Sequence, residues 1–307
     1  MLYLIKFISL EYKNLFKENN IKICLCTLGK KENKYCREYV EHYKRYGVDK
    51  IFIYDNNDIN GENFTDVLYD YIKSDYVEIL NYRGINKMQM KALNDCYNNN
   101  YQKYDWLIFY DMDEYIYLKN YTKIKYYLGE EKFKGCDLIH LNWVLHLDNN
   151  HIFYQNKSLK ERFPKIKYEK NYSQIKSILR GHIPNLKILC LHVINHSLKA
   201  CDGFGNIRPK IRMSTNCPDY KYYYIDHYFW KSTEEFINKL SRGDAFYGNH
   251  MKISENDISR YFRNNGVTLE KIKYINNRTR INASKVAEAT FKNNSFNIID
   301  IDKIRVN

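Results

Sequence analysis

An acidic triplet follows the most hydrophobic run of the chain. Residues 106–110 indicate a buried strand, and Asp111, Asp113 and Glu114 come directly after it. Because ligands of open α/β sheets bind at the carboxyl ends of strands, we expect Asp111 and Asp113 to face that crevice. Two neighbouring carboxylates repel each other unless a cation joins them, and paired oxygen ligands suit Mg²⁺ or Mn²⁺. Acidic turn residues at a solvated strand end would give the same pattern, so the pair alone is a weak signal.

A second group of polar residues follows the apolar run 50–54. Asp55, Asn56 and Asn57 stand there, so two predicted strands would deliver polar side chains to one edge of a sheet. Such a pair fits a ribose or base on one side and a metal-bound diphosphate on the other, and an Asx-rich turn is the alternative. Residues 27–30 match neither G-x-G-x-x-G nor the P-loop, which disfavours dinucleotide and ATP sites of those kinds.

The elements that would position these residues alternate along the chain. From residue 21, short β-branched or aromatic runs alternate with stretches of helical periodicity, which is typical of βαβ units and a largely parallel sheet. Weaker periodicity and three of the four prolines predict irregular and antiparallel pieces between about 149 and 216. The predicted strands are 21–27, 50–54, 77–82, 106–110 and 138–144, and the predicted helices are 33–46, 66–73, 87–97 and 232–240, with helix-like segments near 258–262 and 269–275.

The composition is that of a globular chain with excess positive charge. Of 307 residues, 44% are hydrophobic and 28% charged, and 49 Lys and Arg against 36 Asp and Glu give a net charge of +13. This charge favours an anionic partner such as nucleic acid, an acidic membrane surface or a phosphorylated small molecule. The charge is diffuse, however, and Lys, Asn, Ile and Tyr are abundant throughout, so compositional bias explains it equally well.

The eight cysteines form no C-x-x-C pair and no secretory segment precedes them, so we expect a reduced, cytosolic chain without a disulfide framework. No apolar run reaches the roughly 18–20 residues of a membrane span, which leaves at most peripheral contact with the inner membrane face. One further cluster comprises Cys190, His192, His196 and Cys201. These residues lack the short paired spacing of structural zinc sites, which disfavours a zinc site there.

Short motifs run in order through the first 245 residues. They are CLCT (24–27), KEN (31–33), EYVEHY (38–43), GVD (47–49), IYDN (53–56), DMDEY (111–115), NW (142–143), ERF (161–163), KS (176–177) and HYF (227–229). Together they resemble the GT-A glycosyltransferases of the family 2-like and family 92 group. The resemblance implies an α/β, Rossmann-like fold with a mostly parallel central sheet flanked by helices. This catalytic domain would cover residues 21–249, between an N-terminal segment (1–20) and a basic helical segment (250–307).

The resemblance also implies an activity, namely transfer of a sugar from a nucleotide-diphosphate sugar, with UDP as the expected nucleotide, to a glycan or other hydroxyl acceptor. A divalent cation, Mn²⁺ or Mg²⁺, would assist, held by Asp111, Asp113 and His227. A buried, hydrogen-bonded histidine is the alternative for His227. The residues that would contact the nucleotide sugar are Thr27, Glu32, Asp55, Gln89, Asp111 and Trp143.

An inverting transfer needs a general base that takes the proton of the acceptor hydroxyl. We favour Asp148, because an Asp-Asn pair is frequent there in the family, and Glu161 and Asp202 are further candidates. Asp148 could instead only begin a turn. Lys176 or Arg180 could neutralise the diphosphate, although an unpaired surface lysine is the plainer interpretation.

Three other functions compete with the transferase. A haloacid-dehalogenase-type phosphatase also carries an Asp-x-Asp after a hydrophobic strand, but it prefers Thr or Val where Tyr115 stands here. A nucleic-acid-binding module would need basic and aromatic residues clustered on one face, so no nucleic-acid partner is expected. A degenerate transferase that only scaffolds a partner is the third. For the transferase we expect a cytoplasmic location and a role in surface polysaccharide synthesis.

Overall fold

A computed structural model describes residues 21–167, 173–208, 213–215, 218–243 and 253–291. The predicted N-terminal segment 1–20 and the end of the predicted C-terminal segment, from 292, lie outside the described residues. The chain divides into two compact units. The first contains the described residues up to 143 and from 173 to 225, and the second contains 144–167 and 226–291.

Each predicted strand and helix is present, with ends that differ by a few residues, and the structure adds short strands and helices that the periodicity did not predict. The strands are β1 (Ile23–Gly29), β2 (Lys50–Asp55), β3 (Val77–Asn81), β4 (Trp106–Phe109), β5 (Glu114–Leu118), β6 (Leu138–His146), β7 (Ile166–Lys167), β8 (Ser173–Arg180), β9 (Ala200–Asp202), β10 (Ile207–Arg208), β11 (Ser214–Thr215) and β12 (Tyr223–His227). The helices are α1 (Asn33–Tyr46), α2 (Phe64–Lys73), α3 (Gln89–Asn100), α4 (Ile124–Leu128), α5 (Leu159–Arg162), α6 (Thr233–Ser241), α7 (Glu255–Asn265), α8 (Leu269–Arg278) and α9 (Ala283–Phe291).

The central sheet has the order β10-β9-β6-β8-β4-β1-β2-β3. Strands β4, β1, β2 and β3 run parallel, so their carboxyl ends meet at one edge of the sheet. Strand β8 inserts antiparallel between β4 and β6, in agreement with the antiparallel pieces predicted for the middle of the chain. This α/β architecture, a parallel core flanked by helices, confirms the predicted fold class.

Helix packing in the first unit follows the predicted stripes. The apolar face of α3, comprising Ala92, Leu93, Cys96 and Tyr97, is buried against β1, β2 and β4. Helix α1 ends at Gly47, which has a φ of +80° and returns its backbone N–H to the carbonyls of residues 43 and 44. This is the αL termination that glycine adopts at little cost, as the sequence predicts.

Two disulfide bonds contradict the prediction of a chain without a disulfide framework. Cys26 on β1 is bonded to Cys96 on α3, and Cys136 is bonded to Cys201 on β9. The partners are 70 and 65 residues apart, so local spacing carries no sign of the pairing; helix packing and the parallel β6–β9 ladder bring them together. Disulfides persist in oxidising compartments, which does not favour the predicted reduced, cytosolic environment.

Loss of either disulfide is expected to lower the free energy of unfolding by about 2–4 kcal/mol, because each bond closes a long loop in the unfolded chain. Cys26→Ala/Cys96→Ala and Cys136→Ala/Cys201→Ala would be compared with the parent by urea unfolding, with and without dithiothreitol. Dithiothreitol should destabilise the parent more than either double variant. Mass spectrometry that found free thiols at all four positions of the folded protein would contradict the pairing.

The second unit is built on helices α6 to α9. Their apolar faces form one core around Trp230, Phe236 and Tyr261. The capping box predicted at Ser232 and Glu235 is present, since the Ser232 hydroxyl accepts from the Glu235 backbone N–H and the Glu235 side chain accepts from that of Ser232. Glu235 also forms a buried, two-bonded ion pair with Arg162. None of the helices among the described residues is long and apolar enough to cross a membrane.

Candidate active site

The acidic triplet forms a tight turn at the carboxyl end of β4. The backbone N–H of Glu114 donates to the carbonyl of Asp111 at 3.0 Å, and the backbone N–H of Asp111 donates to Glu114 Oε2, also at 3.0 Å. These reciprocal bonds fix the backbone of the turn and the Glu114 carboxylate relative to the sheet. The Asp111 side chain is 36% exposed, whereas Asp113 and Glu114 are buried. Asp111 is therefore the member of the triplet most open to a ligand.

Lys176 is the residue whose place the sequence did not reveal. Its side chain is fully buried, and its Nζ lies 2.7 Å from Asp111 Oδ2 and 3.2 Å from Glu114 Oε2. The antiparallel ladder pairs Ile108 on β4 with Ile178 on β8, so two residues further along, Lys176 comes beside the end of β4. The interpretation of Lys176 as an unpaired surface lysine is thus wrong. Burial alone would lower the pKa of Lys176, but the two carboxylates outweigh it and raise that pKa.

Glu114 lies wholly inside the protein. Burial raises its pKa to about 8, Lys176 opposes that rise, and Asp111 and Asp113 add to it. Its Oε1 has no hydrogen-bond partner among the described residues. Two tyrosines of α1 secure the backbone of the turn, because Tyr43 donates to the carbonyl of Glu114 at 2.8 Å and Tyr39 to that of residue 110 at 2.9 Å. The sequence identified these tyrosines only as an apolar stripe.

Replacing Glu114 by glutamine is expected to remove a pH dependence of stability. Because the folded-state pKa lies above the ordinary carboxyl value, the folded state binds more protons, and stability falls as the pH rises from about 4.5 to 8. Glutamine does not ionise. The free energy of unfolding of Glu114→Gln should therefore rise relative to that of the parent as the pH increases across this window. The difference is a few kcal/mol at most, since one pKa unit corresponds to about 1.4 kcal/mol. Urea unfolding at pH 5, 7 and 9 in EDTA measures the difference; parallel curves would contradict the assignment.

Asp55, a predicted nucleotide contact, is buried at the end of β2 and has partners on both carboxylate oxygens. Oδ1 accepts from the backbone and side-chain amides of Asn57 at 2.9 and 2.7 Å, which is the Asx turn foreseen as the alternative. Oδ2 accepts from Arg83 Nη1 at 2.8 Å. The same guanidinium donates to four carbonyls of residues 58–62, so the Asp55–Arg83 pair shapes this loop. Its role toward a nucleotide stays a prediction.

The loops after β1 and β2 meet at the edge where β4 ends. The register pairs Gly29 with Asp55, and the backbone N–H of Lys31 donates to Asn57 Oδ1 at 2.7 Å. Lys30 and Lys31 also lie 2.9 and 3.2 Å from the Asp58 carboxylate. Strands β2 and β4, which end at Asp55 and just before Asp111, run parallel with β1 between them, so both ends lie at one edge of the sheet, as the sequence predicts.

All the predicted nucleotide-sugar residues lie in the first unit. Thr27 is buried on β1, and Glu32 is buried directly before α1. Gln89 is half-buried at the first position of α3. Trp143 is half-buried on β6, with its ring edge-on to His192 at a centroid distance of 5.3 Å. The contacts of these residues with a nucleotide sugar stay a prediction.

The predicted base, Asp148, belongs to the second unit and is buried among partners. Its Oδ2 accepts from Lys271 Nζ at 2.7 Å and from the Tyr261 hydroxyl at 2.5 Å, and its Oδ1 accepts from the backbone N–H of Asn150 at 2.9 Å. Burial lowers the pKa of Lys271, and Asp148 opposes that effect. This network is that of a structural ion pair, so the geometry does not favour Asp148 as a general base, and the assignment stays a prediction.

The two further candidates for the general base form hydrogen bonds that stabilise local structure. Glu161 is exposed and forms a capping box with Ser158 at the start of α5. Asp202 Oδ1 accepts from the backbone N–H groups of Phe204 and Asn206 in the turn between β9 and β10. Neither arrangement marks a base.

The acidic turn offers two carboxylates, and carboxylate oxygens are the type of ligand that a hard divalent cation binds together with substrate phosphates. Asp111 and Asp113 supply carboxylate oxygens, and Lys176 engages only one oxygen of the partly exposed Asp111. His227, the third predicted ligand, is buried at the end of β12, in the second unit. Among the described residues no three His, Cys, Asp or Glu side chains form a cluster that could hold a metal. At the cluster disfavoured for zinc, Cys201 is in a disulfide.

The amino-acid sequence matches a known family of enzymes. The family model described as glycosyltransferase family 92 matches residues 19–261. A glycosyltransferase family 92 protein of rice, Oryza sativa subsp. japonica, is 26% identical over 142 residues, which cover 39% of this chain and 22% of that protein. The chain thus spans less than a quarter of that relative's length.

Among solved structures, TarS of Staphylococcus aureus (residues 1–349) is similar at 10% identity. Its complex with UDP gives a TM-score of 0.37 over 94% of this chain and 76% of TarS, and its complex with UDP-GlcNAc gives 0.39 over 88% and 71%. The family match covers most of the chain and includes the acidic turn, β8 and the loops after β1 and β2. The chain therefore belongs to glycosyltransferase family 92.

Proposed function

We propose that this protein transfers a sugar from a nucleotide-diphosphate sugar, with UDP as the nucleotide, to the hydroxyl of a glycan acceptor. Membership of family 92 supports the reaction class and disfavours the phosphatase alternative. The observation that carries the proposal is the acidic turn, where the partly exposed Asp111 carboxylate stands at the carboxyl edge of the parallel sheet.

Each part of the turn has a task in such a transfer. Asp111 and Asp113 would hold Mn²⁺ or Mg²⁺, which supplies charge stabilisation to the leaving diphosphate when bound. Lys176 holds one oxygen of Asp111, and the reciprocal bonds with Glu114 keep the turn rigid. The loop shaped by Asp55 and Arg83 adjoins the β1 loop at the same edge and would take the nucleoside.

Two finer parts of the proposal, inversion at the anomeric carbon and a role in surface polysaccharide synthesis, rest on the family resemblance. A third, peripheral association with a membrane, rests on the basic charge of the C-terminal segment. Asp148 remains the candidate base for the inverting step, with its ion pair as the argument against it. The anomeric configuration of the product, read by NMR, tests inversion once a donor is known.

The first experiment is calorimetric titration of UDP and GDP into the purified protein, with and without Mn²⁺. We expect UDP to bind in a Mn²⁺-dependent manner and GDP to bind more weakly. The same titrations with Asp111→Asn should show the metal-dependent part lost. If neither nucleotide binds to the folded protein with Mn²⁺ present, the proposed function is wrong; tighter binding of GDP would change the nucleotide and leave the reaction class intact.

A further inference from the structure

A buried ammonium stands against the acidic turn. Lys176 is fully buried, and its Nζ contacts two carboxyl oxygens of the described part of the chain, Asp111 Oδ2 and Glu114 Oε2. Taking a lysine out of water is costly unless anions compensate it, so the pairing is part of how the turn folds. The ammonium is therefore an internal counter-ion of the site.

This counter-ion acts on the same carboxylate that a metal would use. A divalent cation bound to Asp111 would lie within a few ångströms of the Lys176 ammonium, because Nζ is 2.7 Å from the Asp111 carboxylate. Like charges at such distances repel by about 4 kcal/mol per pair of unit charges at an effective dielectric constant of 20. Lys176 must therefore weaken binding of the cation to the empty turn.

A nucleotide diphosphate would reduce the repulsion between the cation and the Lys176 ammonium. Its negative charges offset the ammonium and supply further oxygen ligands to the metal, since Mg²⁺-type ions are commonly held by one or two carboxylates and substrate phosphates. The affinities for metal and for diphosphate are then coupled, and each raises the other by the same factor.

We propose that Lys176 is a positioning residue that holds the Asp111 carboxylate before the donor arrives and keeps the nucleotide-free site from binding a divalent cation tightly. The inference rests on the proposed function, because it concerns the metal that this function uses. It predicts that metal and nucleotide bind together and that Lys176 sets the strength of this coupling.

The test is a titration of Mn²⁺ followed by electron paramagnetic resonance, with and without UDP. In the parent we expect weak Mn²⁺ binding that UDP strengthens. Lys176→Met, which keeps an unbranched side chain one atom shorter and removes its charge, should bind Mn²⁺ at least tenfold more tightly without UDP. The increase in Mn²⁺ affinity on addition of UDP should be smaller in this variant than in the parent. A purely structural role would give the opposite direction, since a disordered turn loses affinity for the metal.

Two further variants keep the test decisive. Lys273→Met makes the same substitution at an exposed position of the second unit and should leave Mn²⁺ affinity unchanged. Lys176→Met/Glu114→Gln removes the ammonium together with the ionisable group beside it and serves if the single variant does not fold. Its glutamine can keep an oxygen toward the Asp111 backbone N–H. It should also bind Mn²⁺ more tightly than the parent.

The outcomes separate the two ideas. Tighter Mn²⁺ binding by either folded Lys176 variant supports the inference. If the parent binds Mn²⁺ with UDP and a folded Lys176 variant shows unchanged or weaker Mn²⁺ affinity, the role of Lys176 is overturned while the proposed function stands. If the parent binds neither Mn²⁺ nor nucleotide when both are present, with UDP or with GDP, both are overturned.

Discussion

Asp111→Asn is expected to lower the rate of sugar transfer by about 1,000-fold, which corresponds to about 4 kcal/mol of lost transition-state stabilisation. The Asp111 carboxylate is the exposed member of the acidic turn, and asparagine keeps its shape while removing its charge. The same change leaves the Lys176 ammonium without its nearest anion. Release of UDP from a panel of UDP-sugars, with and without Mn²⁺, measures the effect.

The matched control is Asp70→Asn on α2 of the same unit. Asp70 pairs with Arg37 at the surface, where ion pairs contribute little, so this variant should retain the parent's rate. An Asp111→Asn protein that transfers sugar within tenfold of the parent would show that the acidic turn is not the reaction centre.

Lys271→Met is expected to reduce the free energy of unfolding by about 3–5 kcal/mol and the melting temperature by roughly 10 °C. The substitution leaves the Asp148 carboxylate buried without its cation, with only the Tyr261 hydroxyl and the Asn150 amide as compensation. Thermal and urea unfolding followed by circular dichroism measure the loss. Lys273→Met, at an exposed position of the same helix, should change stability by no more than about 0.5 kcal/mol.

A second variant separates the pair from its individual charges. In Lys271→Met/Asp148→Asn no buried charge is left unpaired, so much of the lost stability should return. Stability of Lys271→Met within about 1 kcal/mol of the parent would mean that Asp148 does not depend on this ion pair. The predicted role of Asp148 as a base would then become more plausible, because a base must be able to accept a proton from the acceptor.

Much of the fold could be predicted because it depends on local patterns. The stripe at Cys36, Tyr39, Val40 and Tyr43 alone predicts α1, and all four side chains are buried against the unit. The same holds for the capping box that begins α6. Position within a βαβ pattern also places Asp111 and Asp55 at strand ends, since a strand's end is visible in the sequence.

The contacts that define the site could not be predicted in this way. Arg83 follows β3 with nothing in its neighbours to indicate that it pairs with Asp55, 28 residues earlier. Asp148 looks like the start of a turn, and the turn exists, but its burial depends on a lysine more than 100 residues later. Residues so far apart meet only through the packing of whole elements.

The sequence by itself determined the α/β class, the order of elements from β1 to β4 and the acidic turn after β4, because hydrophobic periodicity and turn residues act over a few positions. Only the tertiary structure decided that Lys176 neutralises this turn, that Cys26 bonds to Cys96, and that Asp148 is enclosed in an ion pair. The reason is physical. Strand register and helix packing join residues separated by 65 to 123 positions, and the energetic cost of burying their charges is settled only where they meet.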